Sequence, residues 1–304
     1  MSLFGTPGDC ADDDERQRAA GDLERIARGG IPLGAEERLR RIAAGTSAPF
    51  TSDLSAKEYA LAQASGLTPI AQIMGSSVVQ TGWQDYVWAA GYAGSVPVPS
   101  FSEPWNLARR RAFDRLRQEA ELAGADAVIG IEITIRSLAD QRAVEYVVFG
   151  TAVRETIPVP RRDSGPRMCA LSGQDFVVLR RIGAEPVGVI GHTAVVGVSV
   201  TGWANQRMGN WWGNQELTEI TEGVYMARRI AMEEVRRQAS AARATEMVVS
   251  DLTHRIQRPG EVGAAGQYVF IITMQVLGTA IIRGAHEPRP GPLGPPVMSI
   301  NIGN

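Results

Sequence analysis

The chain has 304 residues, 44% of them apolar and 21% charged, which is room for two ordinary domains with the composition of a water-soluble globular protein. Its formal net charge is −2, with basic and acidic residues interspersed, a balance that argues against a nucleic-acid footprint. No apolar run approaches the length needed to span a bilayer, which argues against membrane partners.

Lys57 is the only lysine, so arginine carries nearly all the positive charge, a mark of codon bias rather than of phosphate recognition. Met1 to Glu15 lacks the basic and apolar regions of a secretory signal. The two cysteines, Cys10 and Cys169, lie far apart and predict no disulfide framework. These features together predict a cytoplasmic protein.

Residues 12–44 predict two short amphipathic helices. The acidic run Asp12-Asp13-Asp14-Glu15 suits a helix N-terminus, Gly29-Gly30 stops the first helix, and Ala35 to Ala44 form the second. Helices this short need a docking partner, so 1–50 reads as a helical arm.

A duplication follows. Ser55, Glu58, Tyr59, Gly66 and Pro69 recur as Ser172, Asp175, Phe176, Gly183 and Pro186, at a constant offset of 117. A serine followed three residues later by a carboxylate is a capping box, and the glycine supplies the helix stop. Strand regions come next, Ile70 to Gly82 and Val187 to Gly202, each closing in Thr-Gly-Trp. Long helices are predicted over Glu103–Ala123 and Glu216–Arg243, with buried stripes Ala108, Ala112, Leu116, Ala120 and Val224, Ala231, Val235, Ala239. Paired strands finish each copy: Ala127–Arg136 with Val144–Arg154, and Met247–Ile256 with Tyr268–Arg283. In this alignment Asp126 matches Glu246, and Glu132 has Asp251 as its nearest counterpart, one position out of register.

The fold class is therefore α+β: two tandem two-layer α/β domains of β-α-β-β order, each preceded by a short helix. The segments are an arm (1–50), a first domain (51–157), a linker (158–170), a second domain (171–284) and a Pro/Gly-rich tail (285–304).

The run Ala123-Gly124-Ala125-Asp126-Ala127-Val128-Ile129-Gly130-Ile131-Glu132, followed by Phe149-Gly150-Thr151-Ala152-Val153, resembles the YbjQ-like family, whose members carry a heavy-metal-binding label. The resemblance covers most of the first copy. In the second copy Ala244-Thr245-Glu246 replaces the Gly-Ala-Asp turn. The resemblance implies a dodecin-like or YbjQ-like two-layer unit that self-associates as a pentameric ring through strand pairing between neighbours. It also makes a metal ion the one cofactor worth testing.

The residues themselves offer little to a metal. His192, His254, His286 and the two cysteines stand in no chelating spacing, and an isolated histidine is more often structural than a ligand. The candidates are His192, Glu132 and Asp251, gathered by a ring if at all. No nucleophile–base pairing is legible and no phosphate-cradling glycine spacing occurs, so the chain reads as a non-enzyme.

The tryptophans cluster in two equivalent segments: Trp83 and Trp88, with Trp105 nearby, and Trp203, Trp211 and Trp212. Such rings either cover a sheet end as core or form subunit contacts or a ligand rim. The tail ends in an alternating stretch bearing Val297, Ile300 and Ile302. It either folds back or docks on a neighbouring sheet edge or another protein. The function expected is an oligomeric assembly or scaffold protein, the alternative a metal- or small-ligand-binding protein with its site between subunits.

Overall fold

The computed structural model describes residues 7–45, 51–81, 94–138, 143–156, 165–200, 216–257 and 268–285. The arm comprises α1 (Pro7–Ala27) and α2 (Leu33–Ala43). The first half contains α3 (Ala56–Ala64), β1 (Leu67–Gln80), β2 (Gly94–Pro97), α4 (Pro99–Leu122), β3 (Ala127–Leu138) and β4 (Ala143–Glu155). The second half opens with β5 (Arg167–Met168) and continues through α5 (Gly173–Arg181), β6 (Glu185–Val200), α6 (Thr218–Ala241), β7 (Glu246–Gln257) and β8 (Tyr268–Ile282). Among the described residues no helix is long and apolar enough to cross a membrane.

The short helices form where the caps predict. Ser55 Oγ accepts the Glu58 amide at 3.3 Å, and the Glu58 carboxylate accepts the Ser55 amide at 3.0 Å, completing the capping box. Ser172 Oγ accepts the Asp175 amide at 3.1 Å, while the shorter aspartate accepts from the serine hydroxyl. α1 starts earlier than its sequence signals suggest. Proline is favoured at a first helical position, and Pro7 opens the helix, so Asp12 to Glu15 fall beyond its first turn.

Each half folds as β-α-β-β, with the helix on one face of an antiparallel sheet. Ala108, Ala112, Leu116 and Ala120 are all buried against Ala71, Ile73, Tyr146 and Val148. In α6 the fully buried stripe is Ala227, Ala231 and Val235, with Ile220 nearly so, whereas Val224 and Ala239 are only partly buried. The stripe runs through Ala227 because this residue takes the place of Ala108 in the repeat. β1 and β6 also share a bulge at Pro69/Ala71 and Pro186/Gly188, where proline withholds an amide from the ladder.

The two halves are not separate sheets, each made of its own strands. One sheet has the order β1-β4-β3-β5 and the other β2-β6-β8-β7. β2, from the first half, pairs antiparallel with β6 through Gly94↔Ser199 to Pro97↔Val196. β5 lies within the 158–170 segment read as a linker, and pairs parallel with β3 through Ala127↔Arg167 and Val128↔Met168. Each half thus completes a sheet edge of the other.

The helix-to-strand turn shows how the second copy diverged. Asp126 Oδ2 accepts the Glu155 amide at 2.9 Å, and Thr245 Oγ1 accepts the Arg283 amide at 2.8 Å. Thr245, not Glu246, is therefore the counterpart of Asp126. Glu132 pairs with Phe149 and Asp251 with Leu277, the residues before the two Gly-Thr-Ala runs, so these carboxylates are in register. The left-handed turn is held by Gly124 (φ 69°) in the first copy and by Arg243 (φ 54°) in the second.

Two substitutions test this packing. A Cβ at Gly75 would collide with the Ala112 carbonyl and stand 2.7 Å from the Leu116 nitrogen, because α4 lies directly on β1. Gly75→Ala should lower unfolding free energy by about 1–3 kcal/mol in denaturant titration. Arg243→Gly should raise it by up to about 1 kcal/mol, since the left-handed cost removed exceeds the entropy glycine adds to the unfolded chain.

Candidate functional site

The junction between the two halves concentrates the structure's buried polar groups, and three elements build it. The residue before α4, Val98, donates its amide to the Val195 carbonyl at 2.8 Å, continuing the β2–β6 pairing. Val98 and Phe101 then pack on Val195, Val269 and Ile271. These last residues alternate with Val196, Val198 and Ile272, which face α6, so α4 covers the opposite face of the second sheet. α4 consequently lies between two sheets.

One helical turn on, Asn106 holds Thr193 by both peptide groups. Its Nδ2 donates to the Thr193 carbonyl at 2.9 Å, and its Oδ1 accepts the Thr193 amide at 3.0 Å. The side-chain amide does what a partner strand would do. Deeper in, Gln275 donates to the Tyr146 hydroxyl at 2.7 Å, joining β8 to β4. Burial pushes the Tyr146 phenol up to about 12, against the pull of the Arg109 charge.

From the second half, β5 and α5 close over the first sheet. Cys169, Leu171, Phe176 and Val177 form a core with Ala127, Ile129, Val153 and Ala62. Burial raises the Cys169 thiol to about 12, which makes it an inert core residue. The Gly173 amide donates to Glu58 Oε1 at 3.2 Å, so the acid that caps α3 also caps α5.

Four charges lock this corner. Arg167 bonds both Glu155 and Glu185, while Arg180 lies 3.1 Å from Glu155 and 3.6 Å from Glu185. All four side chains are largely buried. Burial raises the Glu155 carboxyl above the usual range, although the two arginines pull it down.

The metal candidates are not brought together. His192 sits on β6, Glu132 on β3 and Asp251 on β7, and among the described residues no three His, Cys, Asp or Glu side chains could hold a metal ion. Burial lowers the His192 imidazole, Glu234 opposes this, and the charges of Arg109, Arg110 and Arg237 reinforce it. Burial likewise raises Asp251, partly offset by the Leu252 amide. Among the described residues, those present do not assemble a heavy-metal centre within one chain.

Trp83, Trp88, Trp203, Trp211 and Trp212 lie outside the described residues, as do Val297, Ile300 and Ile302 of the tail. Trp105 is described and packs against the first core. Sequence reasoning missed Asn106, the Tyr146–Gln275 bond and the Arg167 lock. The signal for Asn106 was its place on a second buried face of α4, where polar residues hid the amphipathic pattern.

Comparison with known proteins matches part of the first copy to a known family and most of the chain to a relative. Residues 94–156 match the family described as "Putative heavy-metal-binding". The chain is 34% identical over 203 residues to an encapsulin nanocompartment protein of Mycobacterium tuberculosis, covering 66% of this chain and 76% of that one. UPF0145 proteins of Halorubrum lacusprofundi (46% over 54 residues) and Methanococcus vannielii (39% over 56 residues) each match 18% of this chain. These shorter matches span about half the length of those relatives, 51% and 52%.

Arg167→Met should cost about 3 kcal/mol at neutral pH, the low end for a broken buried pair, because it leaves two buried carboxylates to share Arg180. The raised Glu155 contributes stability that is present below the ordinary glutamate pKa and lost as pH rises through its folded value. Without Arg167 that value rises further, so the penalty measured by urea titration should shrink as pH falls.

Proposed function

This chain belongs to the YbjQ-like family, and we propose that it is a non-enzymatic, cytoplasmic assembly protein in which paired YbjQ-like modules build a five-fold particle. The observation that carries this reading is the exchange of β2 and β5, since each module has an edge finished by a strand from another module. Open edges invite strand addition from another chain. The likeness to an encapsulin nanocompartment protein, a name that denotes a protein compartment, points the same way. In this reading the described residues serve packing and pairing, and the 287–304 tail is a tether that docks on another copy or another protein.

Light scattering and electron microscopy of the purified chain test this directly. The expected result is one closed particle containing several 32.7 kDa chains and showing rotational symmetry. A single-chain mass at micromolar concentration would sink the proposal.

A further inference from the structure

Four positions are exposed although their counterparts in the other half are buried. Val78 and Val195 occupy the same place in β1 and β6, yet Val78 is 57% exposed and Val195 3%. Val248 and Ile129 pair with the threonines of the two Gly-Thr-Ala runs, and are 38% and 0% exposed. Leu217 and Val98 each precede the long helix, and are 37% and 5% exposed. Tyr225 on α6 corresponds to Asn106 on α4; the tyrosine is exposed and the asparagine buried.

In every case the buried member is buried by the junction between the halves. Val98 covers Val195, Asn106 holds Thr193, and β5 with α5 covers Ile129. The exposed members divide into two complementary sets. Leu217, Tyr225 and Val248 lie on the second half, where the first half presents Val98, Asn106 and Ile129. Val78 lies on the first half, where the second half presents Val195.

The segment that would cover Val248 is also in place. Residues 168–171 lie along β3, with the Cys169 amide on the Val128 carbonyl and the Gly130 amide on the Leu171 carbonyl. Their anchor to their own half is the Ala170 amide on Thr279 Oγ1, at 3.0 Å. Asp53 makes the matching bond to Thr151 Oγ1 at 3.3 Å, so residues 51–54 stand on the first half as 168–171 stand on the second.

We infer that Leu217, Tyr225 and β7 of one copy dock against the β1 edge and residues 51–64 of a second copy, repeating between chains the junction that the two halves make within one. The occupant is a second copy because the chain carries both faces of a contact already formed once inside it. The contact is head-to-tail, so it propagates until it closes. A ring closed in this way holds an even number of modules, so five-fold symmetry requires five chains and ten modules.

This inference rests on the assembly reading, and a mixing experiment separates the two. Val78→Asp blocks the incoming face, and Leu217→Asp with Val248→Asp blocks the outgoing face. Each variant alone should fall to the single-chain mass of 32.7 kDa with an unchanged circular-dichroism melt. An equimolar mixture should give a species of two chains and nothing larger, because one good face remains on each. Tyr225→Ser, at an exposed position, replaces the outgoing variant should that one not fold. Variants that keep the wild-type mass, or folded single-chain variants that do not pair on mixing, overturn the head-to-tail junction while leaving assembly standing. A wild-type chain of single-chain mass overturns both.

Discussion

Unpaired backbone groups along a strand edge must be paired, covered or blunted, and the closure of the β6 edge is the constraint on which the rest of this structure depends. Gly191 is held by Gln238 of its own half, at 3.1 Å through both amide and carbonyl. Beyond it the edge is closed by the first half alone: the Asn106 amide on Thr193, the Val98 amide on Val195, then β2 on Val196 to Ser199. The equivalent stretch of β1 is handled differently. Arg38 donates to the Gln72 carbonyl, Glu119 accepts the Met74 amide, and Arg115 donates to the Ser76 carbonyl. Side chains blunt that edge up to Ser76, with α2 lending Arg38, and Val78 lies past the last of them.

Committing β2 and the start of α4 to the second sheet forces α4 between two sheets, and the strand sequences register the difference. β1 alternates between buried and exposed residues, as a strand with one covered face should. β6 is buried on both faces along most of its length, and reads accordingly as the nearly continuous apolar run Ala194-Val195-Val196-Gly197-Val198. Two copies of one ancestral strand have diverged because only one of them lies beneath a neighbouring helix. β7 shows the opposite extreme, with residues on both of its faces exposed.

Local chemistry was legible in the sequence and exchange was not. Ser55 with Glu58 and Ser172 with Asp175 cap their helices because a cap needs only a few neighbouring residues. The alanine stripe of α4 was legible for the same reason, as helical periodicity is local. β2 and β5 carry four and two residues, too few for a pattern, and their partners lie in the other half. The Asp126 counterpart was misplaced by one because alignment favoured the acid Glu246. The backbone needs only an oxygen that accepts the Arg283 amide, and the Thr245 hydroxyl supplies it. Arg243 escaped notice because the turn kept its left-handed geometry after losing its glycine. Asn106 acts as a surrogate peptide group, a role that no spacing announces.

The Arg167 lock distinguishes the internal junction from anything the outer faces can make. The repeat places Gln63 where Arg180 stands and Thr68 where Glu185 stands, while Arg283 takes the place of Glu155. None of these can rebuild a network of two acids shared by two arginines. Buried ion pairs add little net stability over apolar packing, but they penalise any arrangement that separates them. The two halves of one chain also meet at the high effective concentration set by a short connection. Tether and charge together favour pairing of each first half with the second half of its own chain, fixing that junction before any other forms. The faces left over are apolar and lack the lock, so any contact made through them answers to protein concentration rather than to the fold.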